Sequence, residues 1–345
     1  MVFMFMRVFK VLCLSCHGTW AGSAPPPGPG NRPARTGAAP RALPLALALL
    51  ASPAVTLAAP IPGFNLNEIA PGVFVHQGMH VSFEHAQHDD VANIGFIVGE
   101  RCTAVIDTGG SVRIGQALRQ AIGEHTHRPV CYVINTHAHF DHVLGNLGFR
   151  TDQPRFVGHA DLGEAIDASR DFFLQQYRGD LGPDPGPQSI IGPDLAVSPS
   201  TEIDLGGRII ELTAHPPAHT FSDLTVFDRA TGTLWLGDLL FIDRIPALDG
   251  NLSGWIRLLE ELKSTPAARV VPGHGPVSAA WPSSADKELS YLRTLRDEVR
   301  AGIANGVLME DMVESAAAES DPEWKLYAQH HARNVGKAYL ELEWE

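Results

Sequence analysis

The chain has 345 residues, 44% of them hydrophobic, with a formal net charge of −13. Ordinary apolar content at this length is enough for one large α/β domain plus a tail, and no long charge run marks the body of the chain as disordered. The acidic balance, with no basic patch to neutralise phosphates, excludes nucleic acid as the default partner.

The first sixty residues differ from the rest. Residues 24–40 are rich in Pro, Gly and Ala, and the apolar run that follows, Arg41 to Leu50, is too short to span a bilayer. A basic flank, a short hydrophobic stretch and the small residues Thr56-Leu57-Ala58-Ala59 are the parts of a secretory signal peptide cleaved at Ala58 or Ala59. The segment before it then reads as a start codon placed too early or as a second hydrophobic leader, Met1 to Leu14. The competing reading is a disordered extension on a cytoplasmic enzyme. The expectation is a leader over residues 1–59 and a periplasmic or secreted mature protein without a membrane span. Cys13 and Cys16 fall in that leader, leaving Cys102 and Cys131.

From Gly72 onward the pattern predicts strands at Val73–Val75, Ile94–Val98 and Thr103–Asp107, a helix over Ser111–Ile122, and a strand over Val130–Asn135. Cys102 and Cys131 each lie five residues before a strand-end residue, Asp107 and Thr136. If those strands are parallel neighbours, the sulfurs lie level, either as a disulfide or as two buried thiols.

Directly after the strand over 130–135 comes Thr136-His137-Ala138-His139-Phe140-Asp141-His142. Alternation in extended backbone gives His137 and His139 a common direction, while Asp141 and His142 turn toward a second position as a short helix begins. One segment can thus feed two adjacent metal ions. Imidazole and carboxylate suit zinc, and iron or manganese would accept them too. A His-rich surface loop would explain any one of these residues but explains all four together poorly.

A strand at Arg155–Val157, a helix over Leu162–Tyr177 and a Pro/Gly-rich loop from Gly179 to Pro193, a flap or an insertion, follow. Strands then cluster from Thr201 to Leu236. After one of them comes Ala214-His215-Pro216-Pro217-Ala218-His219-Thr220, a proline-stiffened turn holding two histidines. After Thr233–Leu236 comes Gly237-Asp238, and after a helix over Leu252–Leu262 and the strand Val270-Val271 comes Pro272-Gly273-His274-Gly275. The chain ends in helices whose apolar residues Leu289, Leu292, Leu295 and Val299 keep helical spacing. Packing on the sandwich is the plain reading, and the end, Tyr339 to Glu345, either packs there too or serves a dimer contact.

These ordered motifs resemble those of the metallo-β-lactamase fold superfamily of metallohydrolases, over roughly residues 64 to 300. The resemblance implies an α/β fold, a four-layer αββα sandwich, with a hydrolase domain over 60–300 and a helical extension over 301–345. It implies one metal site from His137, His139 and His219, a second from Asp141, His142 and His274, and Asp238 bridging them. Between His215 and His219 it favours His219. Ala218 stands where the family usually has Gly. Asp107 matches a position that orients the metal loop, although a strand-end turn cap would read the same way.

The implied activity is a dinuclear zinc hydrolase with a metal-bridging hydroxide acting on a small ester, thioester, lactone or amide. Asp141 would bind metal and pass a proton to the leaving group. In finer detail, with Ala218-His219-Thr220-Phe221-Ser222-Asp223, Leu236-Gly237-Asp238-Leu239-Leu240-Phe241 and the closing Arg333-Asn334-Val335, the chain looks most like the zinc metallohydrolases of quinoprotein relay systems, which would link it to PQQ-dependent periplasmic oxidation. The alternatives are a β-lactamase, against which Asp238 weighs because lactamases usually have Cys or Ser there, a mononuclear non-heme iron sulfur dioxygenase, and a non-catalytic metal-binding accessory protein. The expected partner is a small-molecule substrate. His80, His85 and His88 read as loop histidines, some touching substrate or all facing solvent. Phe140, Phe221, Phe241 and Trp255 read as pocket wall or core, and Arg244 as a contact to an anionic group or to a surface carboxylate.

Overall fold

Strands that are apolar on both faces need cover on both sides, and here a second sheet supplies one side and helices the other. The structure, a computed structural model, describes residues 64–345, so the expected leader lies outside the described residues. The first sheet runs in sequence order: β1 (Leu66–Ala70), β2 (Val73–His76), β3 (Ile94–Val98), β4 (Thr103–Ile106), β5 (Val130–Ile134), β6 (Arg155–His159) and β7 (Leu195–Val197). It is antiparallel up to β4 and parallel from β4 to β7. The second contains β8 (Ser200–Asp204), β9 (Ile209–Ala214), β10 (Leu224–Asp228), β11 (Thr233–Phe241) and β12 (Arg269–His274) in the order β12-β11-β10-β9-β8. Only β11 and β12 are parallel in this sheet.

Alternation decides which layer each side chain joins. Ala104, Ile106 and Ile134 point between the sheets and meet Ile210, Leu212, Val226 and Trp235. Val105 and Val133 point the other way, with Ile94 and Phe96, onto Ile114, Leu118 and Ile122 of α1 (Val112–His125). On the outer face of the second sheet, Leu234, Leu236 and Val270 are covered through Trp255 of α4 (Leu252–Leu262), Leu289 and Leu292 of α5 (Asp286–Ala304), and Ala338 of α7 (Tyr327–Leu342). The layers are therefore helix, sheet, sheet, helix, the sandwich expected from the motifs. Three more α-helices, α2 (Phe140–Val143), α3 (Leu162–Gln176) and α6 (Met309–Ala317), and three 3-10 helices, Leu144–Asp152, Pro187–Ser189 and Ser283–Ala285, complete the elements of the described residues. Among the described residues no helix is long and apolar enough to cross a membrane.

Several boundaries differ from expectation for local reasons. Ser111 caps α1 instead of starting it, its hydroxyl accepting the Ile114 N–H at 3.1 Å, and the helix runs on to His125. The strand expected over 103–107 ends at Ile106, because Asp107 takes φ 55° in the left-handed region. The strand expected to end at Leu236 continues to Phe241: Gly237 at φ 51° shifts its register against β12 without ending the pairing. Asp238 therefore sits inside a paired strand. The strand expected at 270–271 spans Arg269–His274, and Pro272 is accommodated because β12 is an edge. The strand β1 was hidden by its weak alternation, and β7 by its length of three residues.

Helix α5 crosses residue 300, and Val335, Ala338 and Leu342 of α7 share one core cluster with β11 and α4. Cys102 directly precedes β4 and Cys131 lies in its parallel neighbour β5; both are free thiols, and Cys131 is only partly buried. Burial and the adjacent Cys131 push the Cys102 thiol up to about 12.

Candidate metal centre

Backbone pairing brings the ends of β4, β5, β11 and β12 to one end of the sandwich, where the turn after β9 joins them. The structure places all seven predicted ligands there, in two groups: His137, His139, His219 and Asp238 in one, Asp141, His142 and His274 in the other. All are buried except His139, which is partly exposed.

In the first group His139 Nδ1 lies 3.1 Å from His137 Nε2 and 3.0 Å from His219 Nε2. In the second, His274 Nε2 lies 3.4 Å from Asp141 Oδ2, and His142 Nε2 lies 3.8 Å from the same oxygen. Asp238 stands between them. Its Oδ2 is 3.5 Å from His219 Nε2 and 3.2 Å from His274 Nε2, and its Oδ1 is 3.2 Å from His142 Nε2. Tetrahedral zinc with bonds of about 2.0–2.1 Å would hold its donors about 3.3 Å apart. The donor set therefore fits divalent ions, and one carboxylate reaches both groups.

Proton placement supports the same reading. A metal-binding imidazole must present an unprotonated nitrogen, so its other nitrogen needs an acceptor. His142 Nδ1 donates to Asp107 Oδ2 at 2.8 Å, and His274 Nδ1 donates to the Val91 carbonyl at 2.7 Å. His139 Nε2 lies 3.1 Å from Asp249 Oδ2. Thr136 Oγ1 donates to Asp107 Oδ2 at 2.8 Å and so can accept from His137 Nδ1 at 3.1 Å. In these four the other ring nitrogen faces the centre; His219 also turns Nε2 inward, but its Nδ1 is buried without a partner. Two of the inward atoms, His142 Nε2 and Asp238 Oδ1, are buried without a hydrogen-bond partner, as expected of atoms shaped for a ligand.

Charge at the site follows from this crowding. Burial, reinforced by His142, holds His137 well below the usual imidazole range, and burial brings His219 down to about 3. His142 goes the other way: burial opposes its charge, but Asp238, Asp107 and Asp141 together raise it well above the usual value. Burial would raise Asp238, yet His274, His142 and His137 hold it well below the carboxylate range.

His215 does not join the site. Its Nε2 bonds Thr225 Oγ1 at 2.8 Å, whereas Asp223 accepts the Thr220 N–H at 2.9 Å and the Thr220 hydroxyl at 2.7 Å, bending the turn so that His219 faces inward. Ala218 is fully buried and is not among the residues with positive φ, so this turn needs no glycine there. Asp107 is both a strand-end cap, accepting the Thr136 N–H at 2.8 Å, and the orienter of His142.

A cavity of about 330 Å³ opens over the two groups. Phe140, stacked on Tyr177 at 4.4 Å, lines one part; Arg244, Gln329, His330 and Arg333 also line it. Phe241 and Trp255 are core, packed behind His219 at 5.6 and 5.2 Å, and Phe221 is exposed to solvent. Of the loop histidines, His85 is exposed and His88 bonds Asp180 at 3.1 Å beside an adjoining cavity. Both ring nitrogens of His80 are buried without partners. Sequence reasoning missed Asp249, Tyr177, Gln329 and His330 and read Arg333 only as part of a motif, without its place at the cavity. The segment Leu248-Asp249-Gly250 carries only a turn signal, and the α7 residues lie far along the chain in an ordinary helical pattern.

Residues 89–274 match the model of a family described as the metallo-beta-lactamase superfamily. No curated protein matches the chain significantly. Among solved structures, a metallo-beta-lactamase from Pontibacter korlensis is similar at TM-score 0.54 and 20% identity, over 66% of this chain and 98% of that one. The protein TMB-1 is similar at TM-score 0.51 and 18% identity, over 68% and 97%. The DIM-1 metallo-beta-lactamase is similar at TM-score 0.54 and 15% identity, over 68% and 99%. At such identities the likeness is one of fold.

Proposed function

The chain belongs to the metallo-beta-lactamase superfamily, and on that premise we propose that it is a dinuclear zinc hydrolase of a small ester, thioester, lactone or amide. The observation that carries the proposal is Asp238: one carboxylate lies within 3.2–3.8 Å of the inward nitrogens of His137, His142, His219 and His274, the place of a bridge between two ions. His137, His139 and His219 would hold one ion, and Asp141, His142 and His274 the other. Zinc pairs would supply Lewis acidity toward a carbonyl oxygen and make an attacking water acidic at neutral pH.

The chain's own residues supply the rest. Asp107, Asp249 and the Val91 carbonyl hold the outer imidazole protons, so the inner nitrogens stay free. Asp141, at the mouth of the second group, is placed to hand a proton to a leaving group. Phe140 and Tyr177 exclude water from one side of the cavity and would seat an apolar part of the substrate, while Arg244 would face an anionic part.

Within the superfamily we place the chain with the zinc metallohydrolases of quinoprotein relay systems, exported to the periplasm and acting beside PQQ-dependent oxidation. The support is the wording of its motifs: Ala218-His219-Thr220-Phe221-Ser222-Asp223, Leu236-Gly237-Asp238-Leu239-Leu240-Phe241 and Arg333-Asn334-Val335. The two similar metallo-beta-lactamases suggest lactams for the substrate panel, and Asp238 sets this site apart from the usual lactamase pattern. The test is metal content of the purified protein by elemental mass spectrometry, with Asp238→Ala alongside, followed by ester, thioester, lactone and lactam substrates. About two zinc ions per chain are expected, falling in the variant. A single iron would overturn the proposal in favour of oxygen-dependent sulfur chemistry.

A further inference from the structure

Arg244 is a cation in an unusual place. Its Nη1 lies 2.9 Å from His274 Nδ1 and 3.4 Å from His274 Nε2. The Val91 carbonyl at 2.7 Å can only accept, so Nδ1 carries the ring proton and donates it there. The guanidinium, which has only donors, can therefore bond this imidazole only at Nε2, at 3.4 Å, the nitrogen that would face the metal. Its Nε is buried with no partner. Among the described residues Arg244 forms no ion pair, although Asp141 lies 3.4 Å from Nε2 of the same imidazole. Its guanidinium carbon also lies 6.0 Å from the centroid of the Phe241 ring.

The backbone fixes the root of this side chain. Asp243 is left-handed at φ 65°, and Arg244 pairs with Lys325 in the segment leading into α7. The Lys325 N–H donates to the Asp243 carbonyl at 2.7 Å and the Ile245 N–H to the Lys325 carbonyl at 3.1 Å. Position 244 lies inside the family-matched span, but Lys325, which anchors it, lies well outside. A charge anchored in this way, acted on by Asp141 and Asp238 but paired directly with neither, repels any cation bound nearby.

Resting on the dinuclear reading above, we infer that Arg244 lowers the affinity of the Asp141–His142–His274 group for its metal ion and has little effect on the His137–His139–His219 group. The second ion is then the exchangeable one, because Arg244 offsets part of the attraction that Asp141 and Asp238 exert on it.

The experiment is a zinc titration of metal-free protein against a chromophoric chelator of known affinity, comparing wild type, Arg244→Gln and Arg244→Lys. A unit charge facing a divalent ion across a few ångströms is a large effect, so Arg244→Gln should tighten the second binding step by about tenfold or more. The first step should stay within about threefold, and Arg244→Lys should tighten the second step less than Arg244→Gln, because an ammonium keeps a charge there but gives it up more readily than a guanidinium. Circular dichroism and melting of the metal-free variants check the fold, with Arg244→Met as a second neutral variant. A second step that is unchanged or weaker in both neutral variants overturns the inference, as does a lysine variant that moves as far as the glutamine one. A wild type that takes up no second zinc at any concentration overturns the dinuclear reading as well. A wild type that binds two, with unmoved neutral variants, overturns the role of Arg244 alone.

Discussion

Asp107→Asn replaces one carboxylate oxygen by NH2 with almost no change of shape, and it should uncouple the second metal group. Asp107 Oδ1 accepts the Thr136 N–H at 2.8 Å, while Oδ2 accepts the Thr136 hydroxyl and His142 Nδ1, each at 2.8 Å. Asn tolerates the left-handed backbone at this position, so strain is not the perturbation. An amide, however, must turn an NH2 toward one side of this arrangement. If it faces His142, the ring can satisfy it only by leaving Nδ1 bare and moving its proton to Nε2, the atom that would bind metal. If it faces the Thr136 N–H, two buried donors oppose each other, which costs about 1–3 kcal/mol. Loss of such an orienting partner typically weakens a metal site 10–100-fold, or about 1.4–2.7 kcal/mol. The assay is thermal or urea unfolding with zinc fixed at 100 times the wild-type dissociation constant. Under those conditions binding stabilises wild type by about 2.7 kcal/mol and a hundredfold-weakened variant by about 0.4 kcal/mol. A variant whose zinc-dependent stabilisation matched wild type would refute the reasoning.

Two further predictions concern neighbours of the centre. His215 is buried and held down to about 4, by burial first and by His159 second. The unfolded chain binds that proton near pH 6.5, so the contribution to stability is fully present above about 6.5 and is lost as pH falls toward 4, by about 3 kcal/mol at most. The metal-free His215→Gln variant should therefore lose less stability than wild type between pH 6.5 and 4 in urea unfolding, and should bind zinc as wild type does; parallel pH profiles would count against this. At Gly273 an added Cβ would lie 1.9 Å from Asp238 Oδ1 and 2.7 Å from the Gly237 carbonyl carbon. Gly273→Ala should thus displace the bridging carboxylate, lowering stability by about 1–3 kcal/mol and reducing bound zinc, read by melting and by metal analysis. Retention of both ions at full stability would show that β12 can move aside.

The part of this molecule that was legible in sequence is the part built from contiguous or strand-end residues. His137, His139, Asp141 and His142 sit in one six-residue run, and a run after a buried strand can adopt few backbone paths, so residue types and spacing suffice to mark them as a group. Apolar alternation likewise marked the central strands β3, β4 and β5, because one register buries their side chains and a slip by one residue would not. Asp238 and His274 were recognised by their motifs, but their setting was not: the strands around them run longer than expected, and the left-handed Gly237 and close-packed Gly273 are what bring Asp238 between the two groups. The choice of His219 over His215 rested on a resemblance; its physical cause, the Asp223 cap that turns Thr220, depends on geometry that spacing does not encode.

Tertiary structure alone decided what surrounds the ligands. Asp249 reaches His139, Val91 presents its carbonyl to His274, and Arg244 meets the same imidazole, all across long sequence separations. The C-terminal helix lines the cavity with Gln329, His330 and Arg333 because Val335, Ala338 and Leu342 bury its apolar side against the second sheet's helical layer, leaving these polar residues at the cavity. Sequence determines which atoms can bind a metal, since that is local chemistry; which charges press on those atoms depends on packing between distant segments, and Coulomb forces act across space irrespective of chain order.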